Sequence, residues 1–176
     1  MSDLTTLAAV KAYLKTPNSA ADDLLSDLIT RASAAVENYC QRSLLSSSRV
    51  EFRDGTGGAV MLLREYPIQS IQSVVIDGNL IPPSAYALYN RTLKLTGYRF
   101  TRDQMNVCIT YTAGYLTVPP DVEQACIESV AQMYKRAEHI DVSSKSLQGE
   151  STTYIQTDIS AAAQQMLNNY KIVAPI

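Results

Sequence analysis

The fold is decided by residues 107–137, VCITYTAGYLTVPPDVEQACIESVAQMYKRA, which change from a strand pattern to a helix pattern. The first part alternates β-branched and aromatic residues, as strands do: Val107, Ile109 and Tyr111. Pro119 and Pro120 then suit the first turn of a helix and exclude its interior. Beyond them, apolar residues cover most of the helix circumference. We therefore predict a central helix over residues 120–138 that is covered on more than one side.

Two further helices are predicted before this segment. The first spans residues 6–15, with Thr6 as its N-cap, and the sequence Thr-Pro that follows it ends the helix. The second spans residues 21–41, begins with two aspartates that favour a helix N-terminus, and keeps an apolar stripe over about five turns. The short connection between them indicates an antiparallel helical hairpin.

Between the second helix and the central helix, residues 44–112 are predicted to form an antiparallel β module of about five strands. The glycine-rich residues 54–58 lie between two strand patterns, which predicts a hairpin. Asp-Gly-Asn at residues 77–79 predicts the next turn, and residues 97–106 read as a polar loop. A β module inserted between helical parts predicts an α+β fold.

The C-terminal part is predicted to be an arm and a short helix. Residues 143–151 are polar and contain glycine, residues 152–157 suit an extended arm, and Asp158 is the predicted cap of the last helix. The apolar C-terminal residues are expected to dock on the chain's own core or on a partner. We therefore predict one domain over residues 1–142 and an appendage over residues 143–176.

Composition restricts the function. The 176 residues carry a net charge of −2, which argues against an electrostatic nucleic-acid binder. Three widely spaced cysteines indicate a reducing compartment and neither a disulfide framework nor a zinc site. No signal peptide and no long apolar run is visible, so a soluble protein made in a cytoplasm is expected. The chain has 11 tyrosines and no tryptophan, and tyrosine suits half-buried and interface positions as well as a core.

Few residues suggest chemistry. The loop 54–58 lacks the Gly-Lys-Ser/Thr ending of a phosphate-binding loop and precedes a strand, so a turn is favoured. The only histidine, His139, follows the central helix and suits a solvated or capping role better than a catalytic one. Arg99 and Arg102, with Tyr98 and Phe100, form the nearest approach to a nucleic-acid patch, although a solvated loop is favoured. We predict no enzyme activity, no metal and no cofactor.

A family resemblance rests on five stretches in order: LTTLAAVKAYLK (4–15), DDLLSDLITRASAAVENYCQRSL (22–44), EYPIQSIQSVVIDG (65–78), VCITYTAGYLTVPPDVEQACIESVAQMYKRAE (107–138) and SSKSLQGESTTY (143–154). Together they resemble the head–tail connector (adaptor) family of tailed double-stranded-DNA phages. The resemblance implies a structural virion protein of the neck, assembled in the host cytoplasm. It implies a ring of identical subunits, usually twelve, that sits below the portal protein, extends the DNA channel and joins the capsid to a stopper or tail-completion protein.

On this reading, double-stranded DNA passes through the channel without sequence-specific binding. Candidate contacts with the portal or a neighbouring subunit are the apolar residues of the C-terminal part: Leu147, Tyr154, Ile155, Ile159, Met166, Leu167, Tyr170, Ile172 and Ile176. Arg99 and Arg102 are the candidates for the channel or for a polar loop. Two alternatives stay open: a small nucleic-acid-binding accessory protein of phage DNA packaging, and a small hydrolase that uses His139.

Overall fold

Helices and strands occupy separate parts of the chain in the computed structural model, which describes residues 3–137, 144–147, 150–153 and 158–172. The internal contacts define a helical unit, Met1–Ser43 with Val118–Ile176, and a β unit, Leu44–Thr117. The predicted α+β class, with an antiparallel β module inserted between helices, is therefore confirmed. The predicted division at residue 142 stays a prediction, because it falls in a stretch outside the described residues.

The described helices of the helical unit are α1 (Leu7–Leu14), α2 (Asp22–Cys40), α3 (Pro120–Ala137) and α4 (Ala161–Leu167), followed by a 3₁₀ turn, Asn168–Tyr170. The Thr6 hydroxyl accepts a hydrogen bond from the Ala9 N–H, so the predicted cap of α1 is confirmed. The central helix α3 contacts α1, α2 and α4, which explains why its sequence is apolar on several sides.

The predicted cap of the last helix is wrong. The N-cap of α4 is Ser160, whose hydroxyl accepts a hydrogen bond of 3.0 Å from the Ala163 N–H. Asp158 lies two residues earlier and instead pairs with Arg136 at the end of α3, at 3.1 Å. The reason is that serine and aspartate are equally good caps, so the spacing of the apolar face and not the residue type decides where the helix begins.

The β unit contains seven strands in residues 44–117, all of which the structure describes, where about five were predicted. They are β1 (Ser47–Arg53), β2 (Val60–Leu62), β3 (Ile68–Ile76), β4 (Asn79–Leu80), β5 (Tyr86–Tyr89), β6 (Thr92–Leu95) and β7 (Val107–Ala113). One sheet has the order β1-β7-β3-β4 and the other β2-β6-β5, with antiparallel pairs throughout.

The hairpin predicted at residues 54–58 does not form. β1 pairs with β7 and β2 pairs with β6, so the two strands on either side of the loop belong to different sheets. Gly55 instead allows a close approach of the backbone to Thr101. A glycine-rich sequence between two strands does not specify whether those strands pair. The turn at residues 77–79 is confirmed, because it joins the paired strands β3 and β4.

The inner faces of the two sheets share one hydrophobic cluster. Its buried members are Met61, Leu63, Val74, Ile76, Ile81, Ala85, Leu93, Leu95, Phe100, Val107, Ile109, Tyr111 and Ala113. Because side chains alternate along a strand, the residues between these positions lie on two outer faces that point away from the cluster.

Two short strands follow α3: β8 (Ser144–Leu147) and β9 (Glu150–Thr153), which pair antiparallel. The extended segment predicted over residues 152–157 is therefore a strand at its start, and its remaining residues lie outside the described part. Among the described residues, no helix is long and apolar enough to cross a membrane.

Candidate interaction surfaces

The glycine-rich loop 54–58 is bound to its own chain. The Gly55 N–H donates to the Asp103 carbonyl at 2.9 Å and to Asn106 Oδ1 at 2.8 Å, and the Gly57 N–H donates to the Phe100 carbonyl at 2.6 Å. A Cβ atom at Gly55 would lie 1.7 Å from the Thr101 carbonyl oxygen, so the backbone approach requires glycine. Because these amides donate to oxygens of their own chain, they are not available to bind a phosphate group. The sequence likewise favours a turn over a phosphate-binding loop.

The loop 97–106 that receives these bonds carries Arg99 and Arg102, and both side chains are exposed. Phe100, however, is fully buried in the cluster of the β unit. It therefore cannot stack on a base, which removes one of the two aromatic residues that suggested a nucleic-acid patch.

Asp77 binds the same loop. Its carboxylate accepts hydrogen bonds from the Thr101 hydroxyl and from Asn106 Nδ2, the latter at 2.8 Å. These bonds, with that of Thr101 the stronger, hold the pKa of Asp77 below its ordinary value of 3.8. The loop that carries Arg99 and Arg102 is thus hydrogen-bonded both to Asp77 and to the glycine-rich loop.

Titratable and nucleophilic groups do not assemble into a site within the described residues. No group of three histidine, cysteine, aspartate or glutamate side chains in that part of the chain is arranged to hold a metal ion. Cys40 and Cys126 are buried, and this burial raises the pKa of each thiol to about 11. His139, the candidate of the hydrolase alternative, lies outside the described residues.

A buried tyrosine organises the inner side of the first sheet. Tyr111 on β7 is 1% exposed, and its hydroxyl donates to Glu51 Oε2 on β1. The Glu51 carboxylate also accepts from Arg53 Nη1 at 3.3 Å and from the Arg64 N–H at 3.2 Å. Burial and the adjacent carboxylate raise the pKa of Tyr111 far above its ordinary value, so it stays a neutral donor. This network is structural.

The C-terminal residues 158–172 pack on the helical unit. The Tyr170 hydroxyl donates to Asp121 Oδ1 at 2.6 Å, and the Ile172 N–H donates to the Cys40 carbonyl at 3.0 Å. The Lys171 ammonium lies 4.8 Å from the centre of the Tyr39 ring. The segment is therefore anchored at several points to α2 and α3.

The candidate contact residues of the C-terminal part fall into three groups. Ile159 and Leu167 are buried, with 8% and 0% of their surface exposed, so they stabilise the helical unit. Met166, Tyr170 and Ile172 are half-buried and keep part of their surface available to a partner. The third group has no described side chain. Leu147 lies on β8, whose side chains are outside the described part, and three further residues are themselves outside it: Tyr154, Ile155 and Ile176. Their role in binding a portal or neighbour stays a prediction.

Two apolar surfaces that the sequence reasoning missed lie on the outer faces of the sheets. The first, here called the Phe52 face, is centred on a row that crosses all four strands of its sheet: Phe52, Cys108, Val75 and Leu80. Val50 lies beside this row, and Val50, Phe52 and Leu80 are between 54% and 68% exposed.

The strand β1 inverts the usual arrangement of an alternating strand. Its charged residues Arg49, Glu51 and Arg53 lie opposite the inward-facing residues of β7, whereas Val50 and Phe52 lie opposite the outward-facing ones. The Tyr111–Glu51 hydrogen bond explains the inversion, since it gives the inward carboxylate a partner. The signal in the sequence is the alternation itself, which shows two different faces without showing which is buried.

The second surface, here called the Tyr89 face, lies on the outer side of the three-stranded sheet. One row crosses the sheet as Leu62, Thr92 and Tyr89, and the next as Val60, Lys94 and Ala87. Val60, Leu62 and Tyr89 are between 48% and 63% exposed. Each sheet of the β unit therefore presents an apolar outer surface, and exposed apolar surfaces of this kind mark interaction sites.

Comparison with known proteins agrees with this architecture. A family model described as head completion protein matches residues 3–173. A chain in the solved neck of an empty gene transfer agent particle, computed with C6 symmetry, is similar at a TM-score of 0.65 and 16% identity, covering 97% of this chain and 90% of that chain. A chain in the neck of the native particle, computed with C12 symmetry, is similar at a TM-score of 0.60 and 16% identity, covering 99% and 96%.

A chain of the native gene transfer agent virion is similar at a TM-score of 0.60 and 15% identity, covering 99% of this chain and 96% of that chain. Among curated proteins, no relative matches. The structural similarities show a shared fold over nearly the whole chain, and the family match confirms the resemblance noted in the sequence. The chain belongs to the head completion protein family.

Proposed function

We propose that this protein is a structural component of the head–tail neck of a phage-like particle, where copies of it form a ring below the portal. The observation that carries the proposal is the family match over residues 3–173 together with a fold shared, over 97% or more of the chain, with chains of particle necks. The C6 and C12 symmetries of those necks support a ring with a multiple of six subunits.

In this role the ring extends the DNA channel and joins the capsid to a stopper or tail-completion protein. The net charge of −2 suits a conduit, because strong phosphate contacts would hold the DNA and make its movement sensitive to salt. The exposed side chains of Arg99 and Arg102 are the proposed weak contacts with the passing duplex. The role is one of assembly and requires no bond-making step.

Contact with the portal is assigned to the arm, residues 144–153, and to the half-buried residues at the C-terminus. Replacing residues 144–153 by a flexible glycine-serine linker should leave thermal unfolding unchanged and abolish capture of the protein by immobilised portal rings. Normal portal capture by this variant would show that the arm is not the contact.

The ring itself is tested by native mass spectrometry and negative-stain imaging of the protein, alone and mixed with portal rings. We expect closed rings in at least the second sample, and particles made without the protein should be filled heads that lack tails. The nucleic-acid alternative makes a different prediction, namely tight binding of free duplex DNA in gel shifts. Tight binding together with the absence of rings in both samples would overturn the proposal.

A further inference from the structure

The two apolar outer faces of the β unit form one interface between copies of this chain: we propose that the Phe52 face of one subunit packs against the Tyr89 face of the next. This inference rests on the proposed ring and names the surfaces that close it. It concerns residues in the β unit alone, all of which the structure describes.

The first argument is geometric. A ring needs a head-to-tail contact, in which each subunit presents two different patches that bind each other. The Phe52 face and the Tyr89 face belong to different sheets, and the inner sides of these sheets meet in one hydrophobic cluster. The two outer faces of one subunit therefore point away from each other. When the Phe52 face of one subunit packs against the Tyr89 face of the next, each end of the row keeps one free face, so further subunits can add.

The second argument concerns area. Val50, Phe52 and Leu80 on one face, like Val60, Leu62 and Tyr89 on the other, are each about half exposed or more. Three such side chains expose on the order of 300 Å² of apolar surface, in the range of functional patches on monomers. A stable interface buries about 800 Å² on each partner, and the apolar centre is normally surrounded by a polar rim.

The rim is present on the Phe52 face. The rows next to Phe52 carry hydroxyl side chains across the sheet: Ser48, Ser70, Ser73, Thr110 and Thr112. These groups bond to a partner or to water without the cost of burying a charge. The apolar row and the hydroxyl rows together give the arrangement expected of an interface that forms between folded subunits.

The third argument concerns charge. No charged side chain lies within the row of Phe52, Cys108, Val75 and Leu80, and the aspartates beyond its end, Asp54 and Asp77, accept hydrogen bonds from the loop 97–106. The Tyr89 face carries the exposed Lys94 in the row between Val60 and Ala87. Self-contact of the Tyr89 face would bring two copies of Lys94 together, whereas contact with the uncharged Phe52 row does not, so contact between the two different faces is favoured.

The chain offers its own probe for this contact. Cys108 lies in the Phe52 row and is half-buried, whereas Cys40 and Cys126 are buried with thiols of pKa about 11, so they react slowly near neutral pH. The substitution Thr92→Cys places a second thiol between Leu62 and Tyr89 on the other face. A short bis-maleimide can then join Cys108 of one copy to position 92 of the next.

With the Thr92→Cys chain, we expect a ladder of covalent dimers, trimers and larger species, because each copy carries both reactive positions. The ladder should disappear when Cys108→Ser is added, and should require about tenfold more protein when Phe52→Asp is added. Leu24→Cys, which places the second thiol on an exposed position of α2, is the matched control and should give no ladder.

Three results would overturn the inference: no ladder, a ladder of equal strength with the Leu24→Cys control, or Cys108–Cys108 dimers as the main product. The third would show that like faces meet. The ring assay separates this failure from failure of the proposed function. Rings of the unmodified protein without a ladder refute only the choice of faces, whereas the absence of rings with and without portal refutes the neck role.

Discussion

The close backbone approach at Gly55 gives the sharpest test of how the β unit is held together. In the variant Gly55→Ala, the added Cβ would lie 1.7 Å from the Thr101 carbonyl oxygen and 2.8 Å from Asn106 Oδ1. The carbonyl belongs to the backbone and cannot rotate away. The loops 54–58 and 97–106 must therefore separate, and the hydrogen bonds between them must lengthen or break.

The expected loss follows from those contacts. Overpacking a tight site costs about 1–3 kcal/mol, and each hydrogen bond lost between the loops adds about 1 kcal/mol. Phe100, fully buried in the cluster, is held between these bonds through its own N–H and carbonyl, so its packing loosens as well. We expect Gly55→Ala to lower the free energy of unfolding by about 3 kcal/mol.

Urea denaturation followed by tyrosine fluorescence measures this loss, since the chain has 11 tyrosines and no tryptophan. Gly58→Ala is the matched control in the same loop, because a Cβ there meets the Thr56 hydroxyl at 3.4 Å and the Val60 backbone nitrogen at 3.9 Å, both ordinary contacts. The control should change the stability by less than about 1 kcal/mol. Equal losses of stability in the two variants, or a loss of less than about 1 kcal/mol for Gly55→Ala, would refute the reasoning.

Three further predictions concern single side chains. Tyr111→Phe removes the donor to Glu51 and should cost about 1–2 kcal/mol in urea denaturation, while a neutral result would show that the buried bond adds nothing. The pKa of Asp77 in the folded protein lies below 3.8, so the stabilisation by its hydrogen bonds is present above pH 3.8 and is lost as the pH falls below that value. The difference in the free energy of unfolding between wild type and Asp77→Asn should therefore shrink as the pH falls from 6 to 3, and a constant difference would contradict this. Leu167→Ala should cost about 2–5 kcal/mol because the side chain is fully buried, whereas Met166→Ala should cost far less, and equal losses would contradict the packing of α4.

The elements with strong local signals could be predicted from the sequence. The helix α3 begins at the predicted residue, Pro120, and is helical as far as the structure describes it, to Ala137, because proline, acidic residues and a broad apolar surface act together. The turn that Asp-Gly-Asn predicts at residues 77–79 also lies at its predicted place, between the paired strands β3 and β4. In each case the information lies within a few residues of the element itself.

Strand pairing could not be predicted in the same way, because it depends on distant partners. The strand Ser47–Arg53 pairs with Val107–Ala113, more than 50 residues away, and nothing near residues 54–58 excludes a local hairpin. The burial of Phe100 inside a polar, arginine-containing loop was likewise invisible, since the partner of its backbone is the distant glycine loop. Local patterns give the elements, whereas contacts at long range in the sequence decide the sheets.

The candidate surfaces show the same limit. Alternation in residues 49–53 indicates two faces, but the inward orientation of Glu51 depends on the Tyr111 hydroxyl, which lies 60 residues along the chain. The sequence indicates the apolar residues of the C-terminal part as candidates for contact, and that role stays a prediction. Buried positions such as Leu167 and partly exposed ones such as Met166 can be distinguished only after α4 is placed on the other helices.

The β unit begins and ends at one place, and this affects the order in which a newly made chain can fold. Leu45 pairs with Tyr115, and the Tyr115 N–H donates to the Leu44 carbonyl at 2.8 Å. On the ribosome, α1 and α2 emerge long before α3, their main partner. Closing the intervening segment Leu44–Thr117 as a flexible loop would cost roughly 4 kcal/mol of chain entropy, but a β unit that has already folded brings its two ends together and removes most of that cost before α3 packs on α1 and α2.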